Sequence, residues 1–241
     1  MALPGWQALH AEIEQYGASI VTVALDINPA DTYPFIDAAS PTHPSLIDTA
    51  HITDELFGFV NVPMAVWIDE NGMIVRPAEQ ASIEVSPFRE MEIPEGLPER
   101  LTQQLTQVKA MQGDPEAYRA AIVDWARNGS ASKFALTPDE VIARSAARPI
   151  EHARAAACFA LGEHLRRTVS AQAAVPWWRE AHQLFPENWT YKRQAWTTVT
   201  TPEGADAPDL MQGPNDVYDG NWLDDVVAAG GGAKYYDVPA L

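Results

Sequence analysis

One thiol, six imidazoles and a scatter of carboxylates are the groups this sequence offers for chemistry. The thiol, Cys158, lies in AAACFALGEHL on the apolar face of a helical pattern. One cysteine can form no intramolecular disulfide and no cysteine-rich zinc site, so a buried structural thiol is the expectation. His43, Asp48 and His51 in THPSLIDTAH are metal-ligand types close together, but loop and helix-cap roles account for them without a metal. His152, Glu163 and His164 do not make the His-Glu-x-x-His of a zinc helix. The stretch AAGGGAK lacks the Gly-Lys-Ser/Thr of a phosphate loop and reads as a flexible tail. Asn128-Gly-Ser and Asn188-Trp-Thr match glycosylation sequons, which have no role in a chain that is not secreted. What stands out instead is Pro63, set at the head of the apolar run Met64-Ala65-Val66-Trp67-Ile68. Proline cannot donate to a β-ladder, so it marks an edge, a strand start or a bulge.

The elements around that proline can be read from pattern. Trp6, Leu9, Ile13 and Tyr16 share one face of an amphipathic helix, and Gly17 is a natural stop. From Ala18 to Asp26 the run ASIVTVALD lacks clean alternation, which predicts a strand buried on both faces of a parallel sheet. NPADTYPFIDAA begins with turn chemistry and becomes a short helix near Phe35 to Ala39. SLID is a short strand candidate, and AHITDELFG a short helix capped by Thr53 or Asp54. After the strand to Asp69, Glu70-Asn71-Gly72 signals a hairpin whose return strand is MIVRP.

The segment FGFVNVPMAVWIDENGMIV resembles the thioredoxin fold, and within it the TlpA/ResA-like redoxins. That family ends a helix at an aromatic residue. It then runs Val-x-x-Pro into a strand closing on Ile-Asp, followed by x-x-Gly and a hairpin partner. Phe57, Val60, Pro63, Ile68, Asp69 and Gly72 stand at those places, and YGASIVTVALD is similar to the family's preceding helix end and central strand. The likeness covers roughly residues 4–77. It implies a cis Val62–Pro63 bond, a substrate-binding role for Val62 and Pro63, and thiol–disulfide exchange as the family activity.

The family's Cys-x-x-Cys, whose thiolate attacks disulfides from a helix N-terminus, has no counterpart among these residues. Pro4, Trp6 and Leu9 occupy the places that follow the motif in the family, so the motif would fall immediately ahead of Met1. The favoured expectation is that the chain is a shortened form of a protein that has it; a redox-dead relative is the alternative. A peroxidase-type redoxin would also need a cysteine near the first helix. No catalytic residue is assigned to this chain, and no cofactor or metal is expected.

Beyond Leu101 the pattern is helical. Asp114-Pro115-Glu116 looks like an N-cap with proline at the first helical position, and Thr137-Pro138-Asp139-Glu140 like a capping box. Residues 155–188 resemble one tetratricopeptide repeat, with Cys158, Leu161, Gly162 and Leu165 on the first helix and Ala174, Trp178, Ala181 and Pro186 on the second. Pro176 departs from that pattern, and no second repeat is in register. The expected organisation is α/β: a truncated thioredoxin-like domain over 1–80, with a sheet and flanking helices. A linker over 81–100 follows, then an α-helical TPR-like domain over 101–200. An irregular C-terminal tail over 201–241 docks through Trp222, Tyr235 and Tyr236.

Composition bounds the partners. With 46% hydrophobic and 20% charged residues the chain is ordinary globular material. A net charge of -17 repels phosphate backbones, which argues against nucleic acid. No apolar run reaches membrane-spanning length, and the N-terminus lacks the pattern of a signal peptide, so a cytoplasmic location is expected. The partner is expected to be a protein thiol or disulfide substrate, or a partner protein held by a non-catalytic interaction module.

Overall fold

A computed structural model describes residues 3–145, 147–198 and 214–241. In chain order the elements are α1 (Leu3–Ile13), β1 (Thr22–Leu25), α2 (Pro29–Ala39), β2 (Ser45–Asp48), α3 (Ile52–Phe57), β3 (Met64–Ile68) and β4 (Ile74–Gln80). Then come α4 (Glu99–Ala110), α5 (Pro115–Asn128), α6 (Pro138–Arg144), α7 (Ile150–Thr168), α8 (Ala171–Leu184), α9 (Trp189–Thr198) and α10 (Trp222–Ala228). The class is mixed helix and sheet, with little sheet. Two compact units divide the chain, and neither is contiguous. The first comprises Met1–Ser86, Gly113–Ala147 and Asp237–Leu241; the second comprises Pro87–Gln112 and Arg148–Tyr236. Helices α5 and α6 therefore belong with the sheets, whereas α4 belongs with the later helices.

In the first unit, β1 and β2 pair in parallel and β3 and β4 antiparallel, as two separate two-stranded sheets. The expectation of a central strand buried on both faces is corrected. Among the described residues β1 has a strand on one side only, its four residues are half-buried, and Val21 before it is exposed. Neither face is therefore fully covered, as both are in a strand inside a parallel sheet. Helix α2 begins at Pro29, not near Phe35, because Asn28 accepts the Ala30 N–H and Pro29 takes the first helical position. The hairpin forms where Asn-Gly predicts it. Asp69 organises the turn by accepting the N–H groups of Asn71 at 2.9 Å and Met73 at 2.8 Å.

Leu9 and Ile13 of α1 are buried with Ile20, Trp67, Tyr118, Ala121 and Ile122, and the core takes in Ala81 and Ile83 from the stretch expected to be a linker. Trp67 of β3 donates its indole N–H to the Tyr118 hydroxyl at 3.0 Å and stacks on Trp125 at 5.1 Å, which fastens the hairpin to α5. Burial pushes the Tyr118 phenol up, so it remains a neutral acceptor. Arg76 of β4 is 1% exposed. Its guanidinium forks onto the Glu79 carboxylate at 2.7 and 2.8 Å and donates to the Phe134 carbonyl at 3.1 Å and the Ala240 carbonyl at 3.0 Å. The capping predictions for α5 and α6 hold. Asp114 accepts the Ala117 N–H, and Thr137 and Glu140 form a reciprocal capping box.

In the second unit, Val169 and Ser170 join α7 to α8, and the two helices pack along their lengths. Close approach depends on Gly162, where a Cβ would come within 2.5 Å of the Trp178 ring. Pro176 sits inside α8 and not at its start. The expected tail is only in part irregular. Residues 201–213 lie outside the described residues, but Trp222–Ala228 forms α10, with Asn221 accepting the Asp224 N–H as N-cap. Trp222 (2% exposed) and Tyr235 (4%) dock with Trp189 and Trp196, with Tyr236 packed alongside. Gly232 lies so close to the backbone of Gln107 that a side chain there would collide with its carbonyl.

Removing the Arg76 guanidinium strands a largely buried carboxylate on Glu79. Arg76→Met should destabilise the first unit by about 3–5 kcal/mol in urea denaturation, and Arg76→Met with Glu79→Leu should recover much of that loss.

Candidate functional site

The loop from α3 to β3 holds the two residues singled out by sequence. Helix α3 stops at Gly58, and Phe59 donates its N–H back to the Asp54 carbonyl at 2.8 Å. Asn61 is buried and accepts the Val62 N–H at 2.9 Å through its side chain. The Val62–Pro63 bond is cis. The Pro63 carbonyl accepts the Ala81 N–H at 3.0 Å, and the β3–β4 ladder continues from Met64 opposite Gln80. Val62 and Pro63 are half-buried, as are Met64, Ala65 and Val66.

The Val62 N–H is not part of the β3–β4 ladder, but it is already engaged by the Asn61 side chain. An incoming peptide backbone would have to displace that bond or pair elsewhere along β3, whose outer edge borders no strand among the described residues. Asn61 was not singled out by sequence. Its signal is a lone amide in the apolar stretch Phe59-Val60-Asn61-Val62-Pro63.

Next to this loop in sequence, α3 gathers polar side chains. Its cap is neither Thr53 nor Asp54. Asp48, at the end of β2, accepts the Thr53 N–H at 2.7 Å and the Thr53 hydroxyl at 2.8 Å, and also takes the Ala50 N–H. Burial raises the Asp48 carboxyl, but these hydrogen bonds to its charged form outweigh that and hold it below the usual range. His51, at φ 54, is buried, with Nδ1 3.3 Å from the carboxylate of buried Asp54. Asp26, after β1, is pushed up by burial, against the hydrogen bonds of Asn28 and Thr32.

His43 lies elsewhere, with Nδ1 3.0 Å from the Gln7 side chain and its ring 5.4 Å from that of His10. Burial first, and the His10 charge second, lower it. The structure thus does not bring His43, Asp48 and His51 to one ligand set. Among the described residues no group of three His, Cys, Asp or Glu side chains is placed to hold a metal.

Cys158 is half-buried on α7, in the second unit, with Glu180 nearby. Burial, then the Glu180 charge, raise its thiol, which is the reverse of what a nucleophilic thiolate needs. A cavity of about 20 Å³ lined by Gln80, Ser82, Asp114, Tyr118 and Leu241 has room for a water and not for a substrate. Among the described residues no helix is long and apolar enough to cross a membrane.

Asp48 serves as the cap of α3 in its ionised form. Asp48→Ala should therefore cost about 1 kcal/mol at pH 7. The folded carboxyl lies below the 3.8 of a free one, so this contribution is present above about pH 4 and fades as pH falls through the folded value. Urea denaturation of both proteins at pH 7 and pH 3 measures the difference.

Set beside protein-family models, curated proteins and solved structures, the chain matches none of them.

Proposed function

We propose that the chain is a thioredoxin-like protein of the TlpA/ResA kind whose present residues bind extended polypeptide and do not themselves exchange thiols and disulfides. The ligand is a protein thiol or disulfide substrate, or a partner protein of the same extended form. The observation that carries the reading is the Val62–Pro63 loop feeding β3. Half-exposed, mostly apolar residues there lie along a strand edge with no strand partner among the described residues. An extended segment can add to such an edge through main-chain hydrogen bonds, with apolar side chains giving selectivity. The spacing from Phe57 to Gly72 supports the family reading. So does the order of a parallel β1–β2 pair joined through α2, followed by α3 and an antiparallel hairpin.

Thiol–disulfide exchange, the activity that the resemblance implies, needs two thiols to cycle, and Cys158 alone cannot do so. Its place on α7 and its raised thiol favour binding over catalysis for these residues.

The test has two arms. The purified chain should not accelerate reduction of insulin disulfides by dithiothreitol; acceleration that survives Cys158→Ser would contradict the non-catalytic reading. It should bind a carboxymethylated, unfolded insulin B chain saturably in fluorescence polarisation. Val62→Glu should weaken that binding at least about tenfold, equivalent to 1.4 kcal/mol. Unchanged affinity in Val62→Glu would contradict the site.

A further inference from the structure

His182, near the end of α8, is 6% exposed, and among the described residues neither ring nitrogen has a hydrogen-bond partner. Buried polar groups are normally paired, so an imidazole left this way calls for an explanation. The Tyr218 ring covers one side at 4.6 Å, and Tyr191 of α9 meets it edge-on at 6.4 Å. Tyr218 belongs to the segment Asn215–Asn221, which is folded on itself. Asn215 accepts the N–H groups of Val217 and Tyr218, each at 2.9 Å. Among the described residues four polar contacts hold that segment down; in one, the Asn215 side-chain amide donates to the Ala195 carbonyl of α9 at 3.2 Å. The Tyr218 hydroxyl donates to Asp225 at 2.6 Å, and Arg179 donates to the Asp216 carbonyl at 3.0 Å and the Asp219 carboxylate at 2.5 Å.

Among the described residues, the two charges that act most directly on His182 are cationic. Arg179 comes from its own helix and Lys192 from α9, and both oppose a proton on the ring. Asp225, on α10, is already engaged by Lys192 at 3.4 Å and by Tyr218. Asp219, on the segment itself, is paired with Arg179. Among the described residues an imidazolium here would have no acceptor and two cationic neighbours in a desolvated aromatic setting. Lifting Tyr218 would give the ring water.

We propose that Asn215–Asn221 is an acid-released strap, held over α8 and α9 only while His182 is neutral. Burial, then Lys192 and Arg179, lower the imidazole from its ordinary 6.5 to about 3 in the closed form. The open form binds a proton below about 6.5 and the closed form does not until about 3. Closure is therefore fully favoured above 6.5 and weakens as pH falls toward 3. Between pH 7 and pH 5 the opening constant rises about 25-fold for one such group. Release uncovers the His182 ring.

Hydrogen exchange read by mass spectrometry, normalised for intrinsic rates, tests this at pH 7 and pH 5. Protection of residues 215–221 should fall about 25-fold while that of α7 holds, and His182→Phe should abolish the fall. If His182→Phe does not fold, His182→Gln answers the same question. In the unmodified protein, the His182 ring protons followed by NMR should not titrate above pH 4.5. Strap protection equal at both pH values, a fall retained without His182, a fall shared by α7, or titration of His182 near 6.5 would each overturn the proposal.

Discussion

A buried guanidinium organises the first unit. Arg76 comes from β4, yet its donors reach Phe134, between α5 and α6, and Ala240, at the end of the chain. Arg144 of α6 donates to the same Ala240 carbonyl at 2.8 Å. Three segments far apart in sequence thus meet at one side chain, which also lies 5.2 Å over the Trp67 ring. A buried guanidinium is tolerable only when its donors are satisfied, and here one carboxylate and two carbonyls satisfy it. The requirement is strict in space but sets no distance along the chain. That is how a unit containing the sheets comes to include α5, α6 and residues 237–241.

What could be read in the sequence was local, and what could not was distant. Asp114, Thr137–Glu140 and the Asn71-Gly72 turn announce their roles because each acts within about one turn of chain. The burial of Leu9 and Ile13 followed from helical spacing. Asp48 as the cap of α3 was missed because it acts from a preceding strand, where no capping pattern looks for it. The half-burial of β1 was missed because strand composition states a preference for burial, not how much of each face the packed elements cover. Of the candidate site, Val62 and Pro63 were found through the resemblance. The hold of Asn61 on the Val62 N–H depends on a side-chain orientation that composition does not encode.

The thiol and the proposed binding loop fall in different units. The one thiol sits on α7 among helices, whereas the Val62–Pro63 loop belongs to the unit that holds the sheets. The second unit is built from aromatic packing: Phe159 stacks on Tyr191 at 4.4 Å, and Trp189 meets Tyr235 at 4.7 Å. Within it the polar cluster of Lys192, Asp225 and Tyr218 is internally paired, which leaves His182 as the group whose charge the packing cannot accept.

The central claim is that extended polypeptide docks at the Val62–Pro63 loop and along β3. Amide chemical-shift mapping of the labelled protein, titrated with the carboxymethylated insulin B chain, tests it most directly. The account predicts that the largest shifts fall on Asn61, Val62 and Met64–Ile68, with the Asn61 side-chain amide moving as its hold on Val62 changes. Shifts confined to α7 and α8, with those residues unmoved at saturation, would contradict it.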